Sequence, residues 1–396
     1  MSNFEKKLLN YLENNLDKIV FIVVILLSVW LRRLYTPLVD ITNGASDYKS
    51  ELSVWVDYYR GLSVKECLSN GIGNYYVPYN LLLILASRFD IEAYWFICFF
   101  SYVFDYVMAF YIYKIVMLLM GYEGGRNSLE AKSVKVLAAI SLILPMVVAN
   151  SAIWKQCDSV YSGIILCGIY YFLKKKYNVA FIILGVAFSF KMQTILVLPF
   201  LLIAYFVLRE FSVLKFLWIP GIYAIAGLPA IICGARITRV YGTYYRQTRQ
   251  YGAMTINSPG IWNLGLSEYM YHHVAMAITI IIFAVLVLAI TVKKPKWNDR
   301  LFFYLLGWVV MTCFEFLPSM HERYDYLAII VLTYVAICYR HKILPAVLGM
   351  HLVSACTYGK FLFCFDVNYT LVAIVYLMAY VFITWDFVGQ LFGNER

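Results

Sequence analysis

The chain of 396 residues is poor in charge: only 14% are Asp, Glu, Lys or Arg, while 62% are hydrophobic. A soluble globular protein cannot hide that much apolar surface, so that class is excluded. Paired cysteine motifs are also missing. The nine cysteines are scattered without a CxxC, mostly inside apolar runs, which argues against a disulfide framework or a zinc site. No GxGxxG or GxxxxGK[ST] pattern occurs, so the Gly-rich cradle of a nucleotide phosphate is missing. There is no large soluble domain, low-complexity tract or fixed-period repeat. The first apolar run, Ile19 to Leu31, has no small-residue cleavage site close behind it and is expected to be a retained span.

What is present is apolar length. Segments near 19–35, 93–119, 133–150, 158–173, 177–190, 193–208, 216–233, 273–292, 301–317, 326–339, 343–357 and 369–385 approach the ~20 residues of a spanning helix. A further run, Pro78 to Phe89, would rise only ~18 Å as a helix and is expected not to span. The expected fold is all-α: one polytopic transmembrane domain over residues 1–396 with about twelve spans. The net charge of +10 supports this topology and calls for no nucleic acid, because clusters such as Lys174-Lys175-Lys176 and Lys293-Lys294 flank spans. With Pro78–Phe89 outside the membrane, fifteen basic residues of the later loops, Arg126 and Arg396 among them, fall on the side of the N-terminus. The other side holds eight: Lys155, Lys191, Arg236, Arg239, Arg246, Arg249, Arg323 and Lys360. Both termini are therefore expected in the cytoplasm.

Two external segments are long, 36–92 and 234–272. In the first, Leu52, Trp55, Val56 and Tyr59 recur at helical spacing, the stripe of a juxtamembrane helix lying on the bilayer. Just before it stands Ser46-Asp47-Tyr48. A carboxylate there suits a membrane-embedded transferase as a base, and Asp is also a favoured helix cap, a role it could fill at the same time. Asp40 and Asp57 are poorer candidates. Arg32 and Arg33 end the first span, where they would meet phosphate or snorkel to headgroups.

Polar turns recur on the face that Asp47 shares: Asn150 to Ser159, Lys191-Met192-Gln193, Asn257 to Trp262, and Met320 to Tyr324. Charged groups near membrane depth cost several kcal/mol unless paired or hydrated, so four such turns on one face suggest a shared polar cavity. His321 and Glu322 are equally suited to bind substrate or to lock two spans through Arg323. No His/Asp/Glu spacing matches a ligand pattern, so no obligatory cofactor or metal is expected, with a divalent metal left open.

These pieces, with Trp55, Tyr75-Tyr76-Val77-Pro78-Tyr79 and Tyr170-Tyr171-Phe172-Leu173, run in order from the first span to about residue 330. Taken together the chain resembles the GT-C superfamily of polyprenyl-phosphate-dependent glycosyltransferases. Within it, the likeness is to bacterial relatives of the GPI-anchor mannosyltransferases. Two positions depart: Lys155 stands where the family usually has Gly, and Gly260 where Asn is common.

The resemblance implies an inverting enzyme of the cell membrane with its active site on the extracytoplasmic face. It implies a polyprenyl-phosphate sugar donor drawn from membrane lipid and a glycan or lipid-linked acceptor. Asp47 would be the base. Tyr48, Trp55, Tyr79, Gln156, Asp158, Lys191, Gln193, Arg246, Asn257, His321, Glu322, Arg323 and Tyr324 would bind substrate. The alternatives are a transporter or flippase of a lipid-linked or polar solute, which would gather polar residues at the bilayer midplane, and a glycan polymerase or ligase, for which Arg236 to Arg249 would serve.

Overall fold

The computed structural model describes residues 1–39, 47–122 and 129–393. Asp40, Ser46, Arg126 and Arg396, which figured in the sequence reading, lie outside the described residues.

Every apolar segment named above is helical. The chain opens with α1 (Asn3–Tyr35), started by a capping box in which Ser2 and Glu5 exchange hydrogen bonds. Three short helices follow: α2 (Ser53–Arg60), α3 (Val64–Ser69) and α4 (Val77–Ala86). Next come α5 (Ala93–Leu119), α6 (Leu129–Ile140), α7 (Pro145–Val148), α8 (Asp158–Leu173), α9 (Tyr177–Phe190) and α10 (Leu198–Leu208). The middle of the chain holds α11 (Trp218–Ile232), α12 (Ile237–Tyr241) and α13 (Thr243–Gln247). The rest is α14 (His272–Lys293), α15 (Asp299–Phe316), α16 (Tyr326–Cys338), α17 (Leu344–Phe363) and α18 (Tyr369–Phe392). The only described strands are β1 (Thr255–Ile256) and β2 (Met320–His321), which pair in parallel.

By length and composition five helices can cross a membrane: α5, Val213–Ile232 including α11, Tyr269–Lys293 including α14, His341–Phe363 including α17, and α18. A sixth span results if the pair Glu130–Ile143 and Pro145–Ile153, bent by 49°, is taken as one. The bend falls where Pro145 begins α7 and has no N–H to continue the ladder. Other apolar helices, α4, α8, α9, α16 and the Met192–Leu208 stretch, have 10–17 residues. The chain is thus an all-helical, multi-pass membrane protein.

Packing follows the pattern of small and large residues. Gly163 lets α8 approach the α5 backbone at Phe104, and Gly168 receives Leu184 of α9. Helix α16 is apolar all round and buried from Tyr326 to Ala336, so it forms the centre of the bundle. The ten-residue α4, begun by Val77-Pro78, matches the short helix read from the sequence.

One expectation is corrected. The stripe Leu52, Trp55, Val56 and Tyr59 does not lie on the bilayer. All four side chains are buried inside the protein, with Trp55 edge-on to Tyr75. A surface stripe and a core stripe share one periodicity, and here α4 and the Tyr75 loop cover it.

Candidate functional site

Asp47 does not cap a helix with its side chain; it precedes a single π-helical turn, Tyr48–Leu52, without a capping bond. Its carboxylate reaches instead to the turn between α7 and α8. Trp154 Nε1 donates to Asp47 Oδ2 at 3.0 Å, and Gln156 Nε2 donates to the same oxygen at 2.5 Å. The Arg323 guanidinium stands 3.7 Å from that oxygen. Among the described residues nothing hydrogen-bonds Oδ1, and the side chain keeps 32% of its exposure. One oxygen is held, and the other has no partner among the described residues.

A second carboxylate lies behind the first. Asp158, the first residue of α8, is fully buried and receives Asn150 Nδ2 at 2.7 Å on Oδ2. The Lys191 ammonium donates to its Oδ1, and Arg323 Nε lies 3.6 Å from Oδ2. The groups alternate in sign: Asp47, Arg323, Asp158, Lys191. Arg323 also donates to Glu322 at 3.0 Å and lies over the Trp154 ring at 4.9 Å. Buried charges persist only when paired or fully hydrogen-bonded.

The 149–153 turn is also π-helical, so two such turns meet at the site. Single π-turns cluster at functional sites because they shift the facing of the side chains that follow.

The cations form one wall of a cavity of about 530 Å³, lined also by Asn74, Tyr75, Gln193, Gln247, Gln250, Tyr251, Tyr269, His272, Met276, Leu317, His321 and Tyr324. Lys191, Arg249 and Arg323 line it, whereas among the described residues no Asp or Glu does. Buried Asp158 pairs with Lys191 and Arg323 from outside the lining, and the partly exposed Asp47 adjoins Arg323, so the charged groups of the lining itself are cations. His321 adds no charge: burial, then Arg323 and Lys191, push its imidazole down to about 2. Burial raises Glu322 to about 7 against the pull of Arg323. Burial raises its neighbour Asp325 to about 8.

Three of the four polar turns therefore converge at Asp47. The fourth joins through backbone: β1 pairs with β2, and Asn257, at φ 57°, bridges to His321. Tyr48, Trp55 and Tyr79 frame the site rather than line the cavity. Tyr48 is edge-on to Tyr94, and Tyr79 stacks on Tyr75 at 4.1 Å. Tyr324 and Gln193 line the cavity directly.

Arg246 is not brought to this cavity. Its guanidinium donates to the carbonyls of Thr238 and Arg239 and lines a separate small cavity with Arg239. Arg239 likewise serves the carbonyls of Leu68, Ser69 and Gly71. Arg32 is closed on Asp105 inside the helices, and Arg33 lies over Trp95, so neither reaches the cavity. Three groups escaped the residue-by-residue reading: Trp154, Asn150 and Tyr251. Trp154 and Asn150 sit inside the singled-out turn, but their partners are tertiary and leave no local mark. Tyr251, edge-on to His321 at 4.8 Å, had no motif to point to it.

No family model matches the sequence, and comparison with curated proteins finds no relative.

Proposed function

We propose that the protein is an inverting, integral-membrane glycosyltransferase of the GT-C type. It moves a sugar from a polyprenyl phosphate to a hydroxyl of a glycan or lipid-linked acceptor at the extracytoplasmic face. The observation behind this reading is the one-signed cavity wall beside a hydrogen-bonded carboxylate. Among the described residues Lys191, Arg249 and Arg323 line the cavity without an acid, and Asp47 is paired with Arg323.

In this reading the donor phosphate sits against Lys191 and Arg323. Asp47 Oδ1 takes the proton of the acceptor hydroxyl as its oxygen attacks the anomeric carbon. The bond from that carbon to the phosphate oxygen breaks, the electron pair leaves with the polyprenyl phosphate, and the two cations stabilise the charge that builds there. Trp154 and Gln156 fix the aim of the carboxylate. The amides of Asn74, Gln247 and Gln250 and the rings of Tyr251 and Tyr269 offer hydroxyl partners and ring faces for sugars. At about 530 Å³ the cavity falls within the ~300–1,000 Å³ of ordinary ligand sites. Met276 and Leu317 on its wall suit the start of a prenyl chain.

The twelve-span topology belongs to the same proposal, supported by the loop-charge bias. The 13- to 16-residue helices α8, α9 and α16 would then cross by local thinning of the bilayer.

The test is purified protein in detergent given polyprenyl-phosphate sugars and a lipid or glycan acceptor extract. Wild type should transfer sugar, and Asp47→Asn should lower kcat by at least about 100-fold, the range for removal of a general base. Transfer by Asp47→Asn at the wild-type rate would remove Asp47 as the base. A wild type that consumes no such donor would return the transporter reading.

A further inference from the structure

Lys155 occupies the position where the family resemblance leads one to expect glycine, and its backbone explains why. Its φ is 60°, the left-handed region that glycine enters freely and a lysine does not. The residue is 1% exposed, and among the described residues its ammonium bonds to no carboxylate. It donates to three carbonyls: Leu38 at 2.7 Å, Ala152 at 3.0 Å and Ile153 at 3.0 Å. Two of these close the π-turn 149–153, where the negative end of the helix dipole lies. The third, Leu38, follows the end of α1. Burial pushes the ammonium down to about 8, which leaves it charged at neutral pH, with the Cys98 thiol as its titratable neighbour on α5.

The consequence lies on either side of Lys155. Trp154 and Gln156 both donate to Asp47 Oδ2. In a regular helix, side chains two apart diverge by ~200°. They converge on one oxygen here because the residue between them is left-handed. We infer that Lys155 is the positioning residue of the catalytic carboxylate, its ammonium holding the turn whose flanking side chains, Trp154 and Gln156, bind Asp47. This rests on the glycosyltransferase reading for its catalytic meaning, and the tether itself can be read without substrate.

Two variants and two measurements test it. Lys155→Met removes the ammonium and keeps the bulk; Lys155→Gly removes the ammonium and relaxes the backbone. Both should lower kcat by about 100-fold, as a misplaced reacting group does, with donor KM within about 3-fold of wild type. In substrate-free protein, carbodiimide labelling of Asp47, followed by peptide mass spectrometry, should run several-fold faster in both variants. Wild-type kcat in Lys155→Gly, or unchanged labelling of Asp47 in both variants, would overturn the inference. So would a donor KM that rises in step with the fall in kcat. If wild type itself transfers no sugar, the proposed function fails while the labelling still decides the tether.

Discussion

Two buried arginines in this protein look alike in composition and differ in satisfaction. Arg32 spends every guanidinium nitrogen: Nε and one terminal nitrogen donate to Asp105 Oδ2 at 3.2 and 2.6 Å, and the other donates to the carbonyls of Ser28 and Leu142. The rings of Tyr102 and Tyr106 cover what remains. Arg323 has one close hydrogen bond, to Glu322, and stands 3.6–3.7 Å from Asp158 and Asp47. The first is sealed between helices; the second faces a cavity. A saturated guanidinium holds a fold together, whereas one with slack can still bind an anion. Adjacent residues of one turn serve the two clusters, Ser151 donating to Asp105 and Asn150 to Asp158.

The comparison breaks most sharply in stability. Arg32→Met leaves Asp105 as an uncompensated buried charge and should destabilise the protein by about 3–5 kcal/mol. Thermal unfolding in detergent measures this, and the double variant Arg32→Met/Asp105→Leu should recover most of the loss. Arg323→Met should do the reverse, holding its unfolding midpoint better while sugar transfer falls by about 100- to 1,000-fold. Equal unfolding losses in the two single variants would erase the distinction drawn here.

A smaller effect separates the clusters by pH. Glu322, raised to about 7, is neutral below that pH and anionic above it, beside Arg323. A phosphate bound there meets a new negative charge, so donor KM should rise by a few-fold between about pH 6 and pH 8. Glu322→Gln should flatten most of that rise. The stability term has the same direction. The neutral Glu322 favours the folded state fully below its unfolded value of 4.5, and this contribution is lost as pH climbs to about 7. The smallest effect is expected at Arg246, exposed and bonded only to nearby groups. Arg246→Ala should change stability by less than about 0.5 kcal/mol and leave transfer intact.

The helices were legible because apolar length is a local signal. Even the short α4 was readable, since Pro78 marks its start and Arg88 and Asp90 crowd its end. The convergence of the polar turns was half legible, as loop charge gives sidedness but no distance. Which cation serves the site was not legible. Arg32, Arg239 and Arg246 read the same as Arg323 in sequence, and only partners far along the chain, such as Asp105 or the Gly71 carbonyl, take them away. The stripe at Leu52 to Tyr59 misled because helical periodicity gives a face and not what covers it. Crossing by all twelve apolar segments stays a matter of charge bias, since several of their helices are short.

The two π-turns at the site have a consequence for how such a chain could change. Each is equivalent to one extra residue lodged in a helix. Deleting one residue from Ala149–Ile153 would restore a regular ladder and strengthen the local hydrogen bonding. It would also swing the residues that directly follow by ~100°, carrying Trp154 and Gln156 away from Asp47. A neater helix and an aimed carboxylate are alternatives at this point of the chain. The insertion is tolerated where it is because the following turn, pinned by Lys155, absorbs the register shift before α8 begins.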